Sequence, residues 1–191
     1  MGKRRSTVRI GNLVLIASIC SGYGIAAQAT STTTFGTPGL IDMPSAESAP
    51  DAELTSSISY FNNNNRNTLS FQITPRLSGS FRYSSIANWR GSETLFDRSF
   101  DLRYRLVDEG KYRPAIAIGL QDFIGTGAYS GEYIVASKRI IPTVTLTGGI
   151  GWGRFGTTNG FANPLGGLDA RFNTRPTGFT GTGGIVESAK W

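Results

Sequence analysis

Residues 96–107, Phe-Asp-Arg-Ser-Phe-Asp-Leu-Arg-Tyr-Arg-Leu-Val, constrain this chain more than any other stretch. Phe96, Phe100, Leu102, Tyr104 and Leu106 share one parity, and Asp97, Ser99, Asp101, Arg103 and Arg105 share the other; Arg98 alone breaks the apolar side. A period of two is that of a β-strand with unlike faces. At roughly a dozen residues, the run exceeds the usual ~5–6 of a soluble strand and matches the ~9–11 with which a tilted strand crosses a bilayer. Two architectures accept such a strand. In a membrane barrel the apolar parity meets lipid, and in a soluble sandwich or barrel it meets a protein core; the period does not choose between them.

The rest of the chain repeats the pattern. Leu54, Ile58 and Tyr60 alternate with Thr55, Ser57 and Ser59, and after a polar loop at 62–67 Leu69, Phe71 and Ile73 alternate with Ser70 and Gln72, which reads as a hairpin. Pro75-Arg76 reverses the chain. Leu77, Gly79, Phe81 and Tyr83 then oppose Ser78, Ser80, Arg82 and Ser84, and 88–93 loops into the long strand. Residues 108–111 turn back into a strand over 114–123, with Ile116, Ile118 and Leu120 on one face and Ala115, Ala117 and Gly119 on the other. A glycine-rich loop at 125–131, a strand over 133–139, a reversal at Ile141-Pro142 and a strand over 143–155 complete about seven strands. A weak eighth lies near 179–191. The near-regular spacing predicts an all-β, antiparallel up-and-down transmembrane β-barrel of about 8 strands, small or partial.

Loop placement points the same way. With the N-terminal lead-in on one side, the loops at 62, 88, 125 and 156 onward fall on the far side, and the connections at 75, 108 and 141 on the near side. The far loops read as longer, the arrangement of outer-membrane barrels, where periplasmic turns are short.

The N-terminus carries the parts of a secretory signal. Lys3, Arg4, Arg5 and Arg9 precede the apolar run Leu13–Ile19, too short to span as a helix, and Ala27-Gln28-Ala29 offers a small-x-small cleavage site. Those cations account for most of the formal net charge of +6, so the basic balance describes a targeting segment rather than a nucleic-acid surface. With 39% hydrophobic and 17% charged residues over 191, the chain is expected to form one domain. The organisation read from the chain is a signal peptide over 1–29, a Pro/Gly-rich periplasmic lead-in over 30–52, and a barrel region over 53–191. Cys20, the single cysteine, opens a rival in which it becomes a lipidated N-terminus, although Ile19 and Ala17 suit that signal poorly. Cleavage after Ala29 instead leaves a chain without thiols or disulfides.

The lead-in also carries a resemblance. Thr37-Pro38-Gly39-Leu40-Ile41-Asp42-Met43-Pro44-Ser45-Ala46, followed by Ala49-Pro50-Asp51-Ala52-Glu53-Leu54, resembles the start of the YjbH family, outer-membrane proteins associated with exopolysaccharide production. The resemblance covers roughly 35–155 and is most specific in the lead-in. Family members are considerably longer, which implies that this chain is an N-terminal portion of a larger protein.

Chemistry is mainly excluded. With no histidine there is no Ser-His hydrolase site and no His-based metal site. Asp97 and Asp101 stand about 13 Å apart along one strand face at ~3.3 Å per residue, beyond the roughly 5–9.5 Å of a glycosidase pair. The glycine runs at 125–127 and 148–153 miss the phosphate-binding spacings, and no aromatic-basic repeat supports nucleic-acid binding. The expectation is a non-enzymatic outer-membrane protein of a Gram-negative bacterium with no cofactor. Gln72, Arg82, Asp97, Asp101, Arg103 and Arg105 would line its lumen. Leu69, Phe71, Phe100, Leu102, Tyr104, Ile116, Ile118 and Leu120 would face outer-membrane lipid. On this assignment Leu102→Arg impairs assembly, whereas Asp101→Asn changes only the interior. The resemblance adds exopolysaccharide and export or assembly proteins as partners. The alternative is a secreted soluble β-domain acting as an adhesin or structural binding module.

Overall fold

The computed structural model of the chain describes residues 30–89, 91–156 and 161–174. The fold is almost entirely β. A small antiparallel ribbon, β1 (Gly39–Leu40) with β2 (Met43–Pro44), precedes seven strands: β3 (Leu54–Phe61), β4 (Asn64–Gln72), β5 (Leu77–Trp89), β6 (Glu93–Val107), β7 (Ala115–Ile124), β8 (Gly131–Ile141) and β9 (Val144–Gly153). Each of the seven pairs antiparallel with its chain neighbours, in the order β3-β4-β5-β6-β7-β8-β9, and the sheet curls into a half-barrel. Among the described residues β3 and β9 are its free edges.

The alternation of the organising strand is realised in full. β6 runs three residues further back than the apolar pattern, to Glu93, and from Leu95 to Tyr104 each odd residue is buried and each even residue exposed. The burial is inverted relative to a soluble protein: Asp97, Ser99, Asp101 and Arg103 are covered, while Phe96, Phe100, Leu102 and Tyr104 are open. Neighbouring strands keep the same sense. On the outer wall the rings of Phe81 and Phe100 lie 5.0 Å apart and Tyr83 stacks on Phe96 at 6.2 Å, the cross-strand pairs that the register Phe81↔Phe100 sets up.

The inner face is covered by the lead-in, which crosses it as an ordered segment containing the β1–β2 ribbon. Gly39 makes that ribbon possible: at φ 154° a Cβ would lie 2.2 Å from the Met43 carbonyl oxygen. Ser59 and Ser70 donate to the carbonyls of Thr34 and Gly36, and the Ala46 amide donates to Ser137 Oγ at 2.8 Å. The interior is divided. Against β7 and β8 it is apolar, with Ala46, Ala115, Ala117, Tyr133 and Val135 buried together and Phe155 packed on them. Against β4, β5 and β6 it is polar.

Two sequence expectations change. The polar loop at 62–67 is a two-residue turn, Asn62 (φ 48°) and Asn63 (φ 61°), and Asn64 already belongs to β4. Left-handed φ at both central positions is the primed turn that suits the twist of a hairpin, and asparagine tolerates it. The loop-length asymmetry is also absent among the described connections. Those on the far side, 62–63, 90–92 and 125–130, are no longer than those on the near side, 73–76, 108–114 and 142–143. Loop length therefore carries no argument about sidedness here.

The segment after β9 folds back on the outer wall. Trp152 Nε1 donates to the Phe161 carbonyl at 3.2 Å, and Asn163 Nδ2 donates to Glu132 Oε2 at 2.8 Å, covering the one acid that β8 points outward. A short 3-10 helix (Pro164–Gly167) and helix α1 (Arg171–Thr174) follow. The signal-like segment with Cys20 and the weak strand near 179–191 lie outside the described residues.

Candidate functional site

The concave wall of β4–β6 is the chemically distinctive surface. It is positioned by inward parity alone: Arg66, Thr68 and Gln72 from β4, Ser80, Arg82 and Ser84 from β5, and Asp97, Ser99, Asp101 and Arg103 from β6 are all buried. At its centre Arg82, fully covered, donates to both oxygens of Asp101 at 2.9 and 3.1 Å. Asp101 also accepts from Ser80 Oγ at 3.1 Å and from the Asp122 amide at 2.8 Å. Such saturation is what a carboxylate needs away from water, because an unpaired buried charge costs several kcal/mol, on the order of 3–5 when a partner is removed.

Asp122 reaches this cluster through a bulge. The β6–β7 register slips between Phe100↔Ile124 and Leu102↔Leu120, and Asp122 takes φ 48°, so Gln121 and Asp122 both turn inward where strict alternation would send the second outward. The bulge carries the chain into loop 125–130, which bends over the far end of the wall. Gly125 permits this approach, since a Cβ there would meet the Arg98 carbonyl at 2.2 Å. Thr126 Oγ1 then donates to Asp97 at 2.5 Å, and the Tyr129 amide to Asp122 at 2.9 Å.

Phe35 of the lead-in plugs the end of the wall. Its ring is buried beneath the Arg154, Arg66 and Arg82 guanidinia at 3.9, 4.4 and 4.8 Å, and meets the edge of Tyr129 at 5.2 Å. Cation–π attraction of this kind strengthens when desolvated, to roughly 2 kcal/mol or more. Arg154, in the loop after β9, ties the three layers together by donating to Gln121 Oε1 at 3.2 Å and to the Asp42 carbonyl at 3.1 Å. Burial pulls its guanidinium down to about 10.

The six residues expected on the inner face do not form one site. Arg82, Asp97 and Asp101 cluster with Asp122. Arg103 donates to the carbonyls of Ser45, at 2.9 Å, and Glu47, while Arg105 donates to that of Ala46 at 3.2 Å, so both hold the lead-in. Gln72 closes the near-side turn, with its amide on the Thr74 carbonyl at 2.6 Å. Instead of bordering open space, these groups lie under the chain's own peptide, with a cavity of about 260 Å³ left between lead-in and wall. The wall thus engages many of its donors with oxygen acceptors, while the Nε atoms of Arg66, Arg82 and Arg103 have none among the described residues. Asp101→Asn is accordingly expected to do more than alter the interior surface, because it removes the carboxylate paired with Arg82. Of the eight residues expected outside, Leu69, Phe71, Phe100, Leu102, Tyr104 and Ile118 are exposed, while Ile116 and Leu120 are half-buried.

Sequence reasoning missed Arg66, Asp122, Tyr129, Arg154 and Phe35. Arg66 was hidden by assigning 62–67 to a loop; parity recovers it once the turn is confined to Asn62-Asn63. For Asp122 the signal was two consecutive polar residues, Gln121-Asp122, inside an alternating strand. The others come from connecting segments and carry no periodic mark.

Comparison with known proteins places the chain in a family. Residues 31–191 match the YjbH family, described as exopolysaccharide biosynthesis protein YbjH. Over 181 residues the chain is 34% identical to the uncharacterized lipoprotein YjbH of Escherichia coli (strain K12), an alignment that covers 89% of this chain and 26% of that protein. The chain therefore spans about a quarter of the length of the curated relative. No solved structure matches it. The chain belongs to the YjbH family of exopolysaccharide biosynthesis proteins.

Proposed function

We propose that the chain is part of an outer-membrane β-barrel, non-enzymatic, that helps an exopolysaccharide cross the membrane or anchors its export machinery. The observation that carries the membrane reading is the inversion of β6, with charged residues covered and aromatic and aliphatic ones open along one strand. A water-soluble fold gains its stability from the opposite arrangement. The dimensions agree. From Phe96 to Leu106 the strand advances about 33 Å at roughly 3.3 Å per residue, and a tilt of about 40° reduces this to about 25 Å, the height of a barrel's apolar band. Export by the signal-like N-terminus delivers the chain to the envelope of a Gram-negative cell. The family description supplies the polysaccharide.

Single thiols at Leu102 and Asp101, probed with a lipid-phase quencher in isolated outer membranes, test the reading. Quenching at 102 and not at 101 is expected. Stronger quenching at 101, or a soluble monodisperse product of the periplasm, returns the chain to the class of secreted adhesins or binding modules. The relative's name also supports a variant in which Cys20 is acylated. Incorporation of labelled palmitate that Cys20→Ala abolishes is its signature, whereas a mature N-terminus at Thr30 rules it out.

A further inference from the structure

Three arginines of the interior lack a carboxylate in direct contact. Among the described residues Arg66, Arg103 and Arg154 form no ion pair, in contrast to Arg82 with Asp101. Their hydrogen bonds go to neutral oxygens, mostly of the lead-in: Arg66 to Thr34 Oγ1 at 3.5 Å, Arg103 to the Ser45 and Glu47 carbonyls, and Arg154 to the Asp42 carbonyl and, on the wall, to Gln121 Oε1. The Nε atoms of Arg66 and Arg103 are buried and, among the described residues, have no acceptor. A guanidinium prefers a carboxylate, which offers two parallel, charge-assisted acceptors, over a single carbonyl.

The lead-in is also the detachable layer. Its β1–β2 ribbon is separate from the seven-stranded sheet, so its removal breaks no rung of the barrel ladder. It is held by side-chain hydrogen bonds, by Ala46, by the ring of Phe35 wedged between guanidinia and Tyr129, and at its root by the Ala52 amide donating to the Gln72 carbonyl at 3.0 Å. The adjoining cavity of about 260 Å³ reaches Gln72, Ser80, Asp101, Arg103 and Gln121, hydrogen-bonding groups suited to hydroxyls.

We propose that the lead-in occupies, as an internal stand-in, the binding strip for a carboxylate-bearing polysaccharide. When the lead-in withdraws, Arg66, Arg103 and Arg154 take sugar carboxylates, and the place of the Phe35 ring beside Tyr129 takes a sugar face. This rests on the membrane and polysaccharide reading above and adds to it the acidic class of glycan and the segment that competes with it.

Cysteines at Ala46 and Ser137, where the Ala46 amide and the Ser137 hydroxyl are 2.8 Å apart, lock the lead-in to the wall when oxidised. The protein is purified in detergent from outer membranes, and binding of fluorescent oligogalacturonate is compared with that of maltohexaose. Reduced A46C/S137C and the parent chain are expected to bind the acidic oligomer, and the oxidised form at least about tenfold more weakly, because affinity scales with the competent fraction. Phe35→Ala is expected to tighten binding, and Arg154→Gln to weaken it for the acidic oligomer alone. Equal affinity in the locked and reduced forms, equal affinity for maltohexaose, or no binding in any form overturns the proposal. Quenching of the single-thiol Leu102→Cys chain in isolated outer membranes is read in parallel: its loss sinks the membrane reading, whereas its persistence with unchanged binding sinks only the inference.

Discussion

Asp101 and Leu102 are consecutive residues with opposite environments, and they give the sharpest test at the level of single side chains. Asp101 accepts four hydrogen bonds from Arg82, Ser80 and the Asp122 amide. Asp101→Asn leaves the buried Arg82 guanidinium without its hydrogen-bonded carboxylate, and a loss on the order of 3 kcal/mol is expected, as for other broken buried pairs. It should appear as a lower midpoint of urea unfolding in micelles, with insertion retained. Leu102→Arg, on the open apolar face, is expected under the proposed membrane reading to cost about 2–4 kcal/mol at mid-bilayer and to reduce the yield of heat-modifiable protein in outer membranes. Equal insertion defects in both would contradict the face assignment. The identity of these two faces was readable from residues 96–107 alone. That Asp101 is the hub of a network was not, because Arg82 and Asp122 are brought to it by register and by a bulge.

At the level of elements, glycines on β7 and β9 are placed for neighbouring rings. Gly119 lies opposite Tyr133, and a Cβ at that position would sit 2.3 Å from the Tyr133 ring. Gly151 is covered in the same way by Phe155. Gly119→Leu is therefore expected to displace the Tyr133 ring and destabilise the β7–β8 half by about 1–3 kcal/mol, and Tyr133→Ala in the same chain should recover part of the loss, measured by thermal unfolding. The near-side turns are joined by ions instead. Arg76 pairs with Asp108, and Lys138 Nζ lies 2.7 Å from Glu109 Oε1. Hydrogen bonds from Lys138 and the Arg139 amide hold the Glu109 carboxyl below the usual range. A lowered acid contributes stability above its unfolded pKa and loses it as the pH falls through the folded one. The tie should therefore be complete at neutral pH and weaken only in acid. Lys138→Gln should shift the Glu109 titration upward by NMR, with little effect on global stability, since the pair is partly exposed. The small residues of β7 were visible as a parity in the sequence. Their partners were not, because a ring that fills a glycine's place leaves no local signature.

For the molecule as a whole, the lead-in is what completes the interior. Deleting residues 35–48 removes Phe35, Ala46 and the acceptors of Arg103, Arg105 and Arg154. The far-ultraviolet circular dichroism of the strands is expected to persist, because no ladder bond to the seven-stranded sheet is lost. The urea midpoint should fall, since buried guanidinia are left unpaired. Complete loss of strand signal would show that the sheet depends on the lead-in to form. The sequence by itself determined an all-β chain of alternating strands with one oily and one charged face, since a period of two is a local property that each strand carries alone. It also carried, in the motif at 37–54, the family. Only the tertiary structure decided that the charged face is the covered one, that the lead-in covers it, and that Asp122, Arg154 and Phe35 converge there. Curl, register slip and the seating of a loop bring together residues far apart in the chain, and no periodicity records that distance.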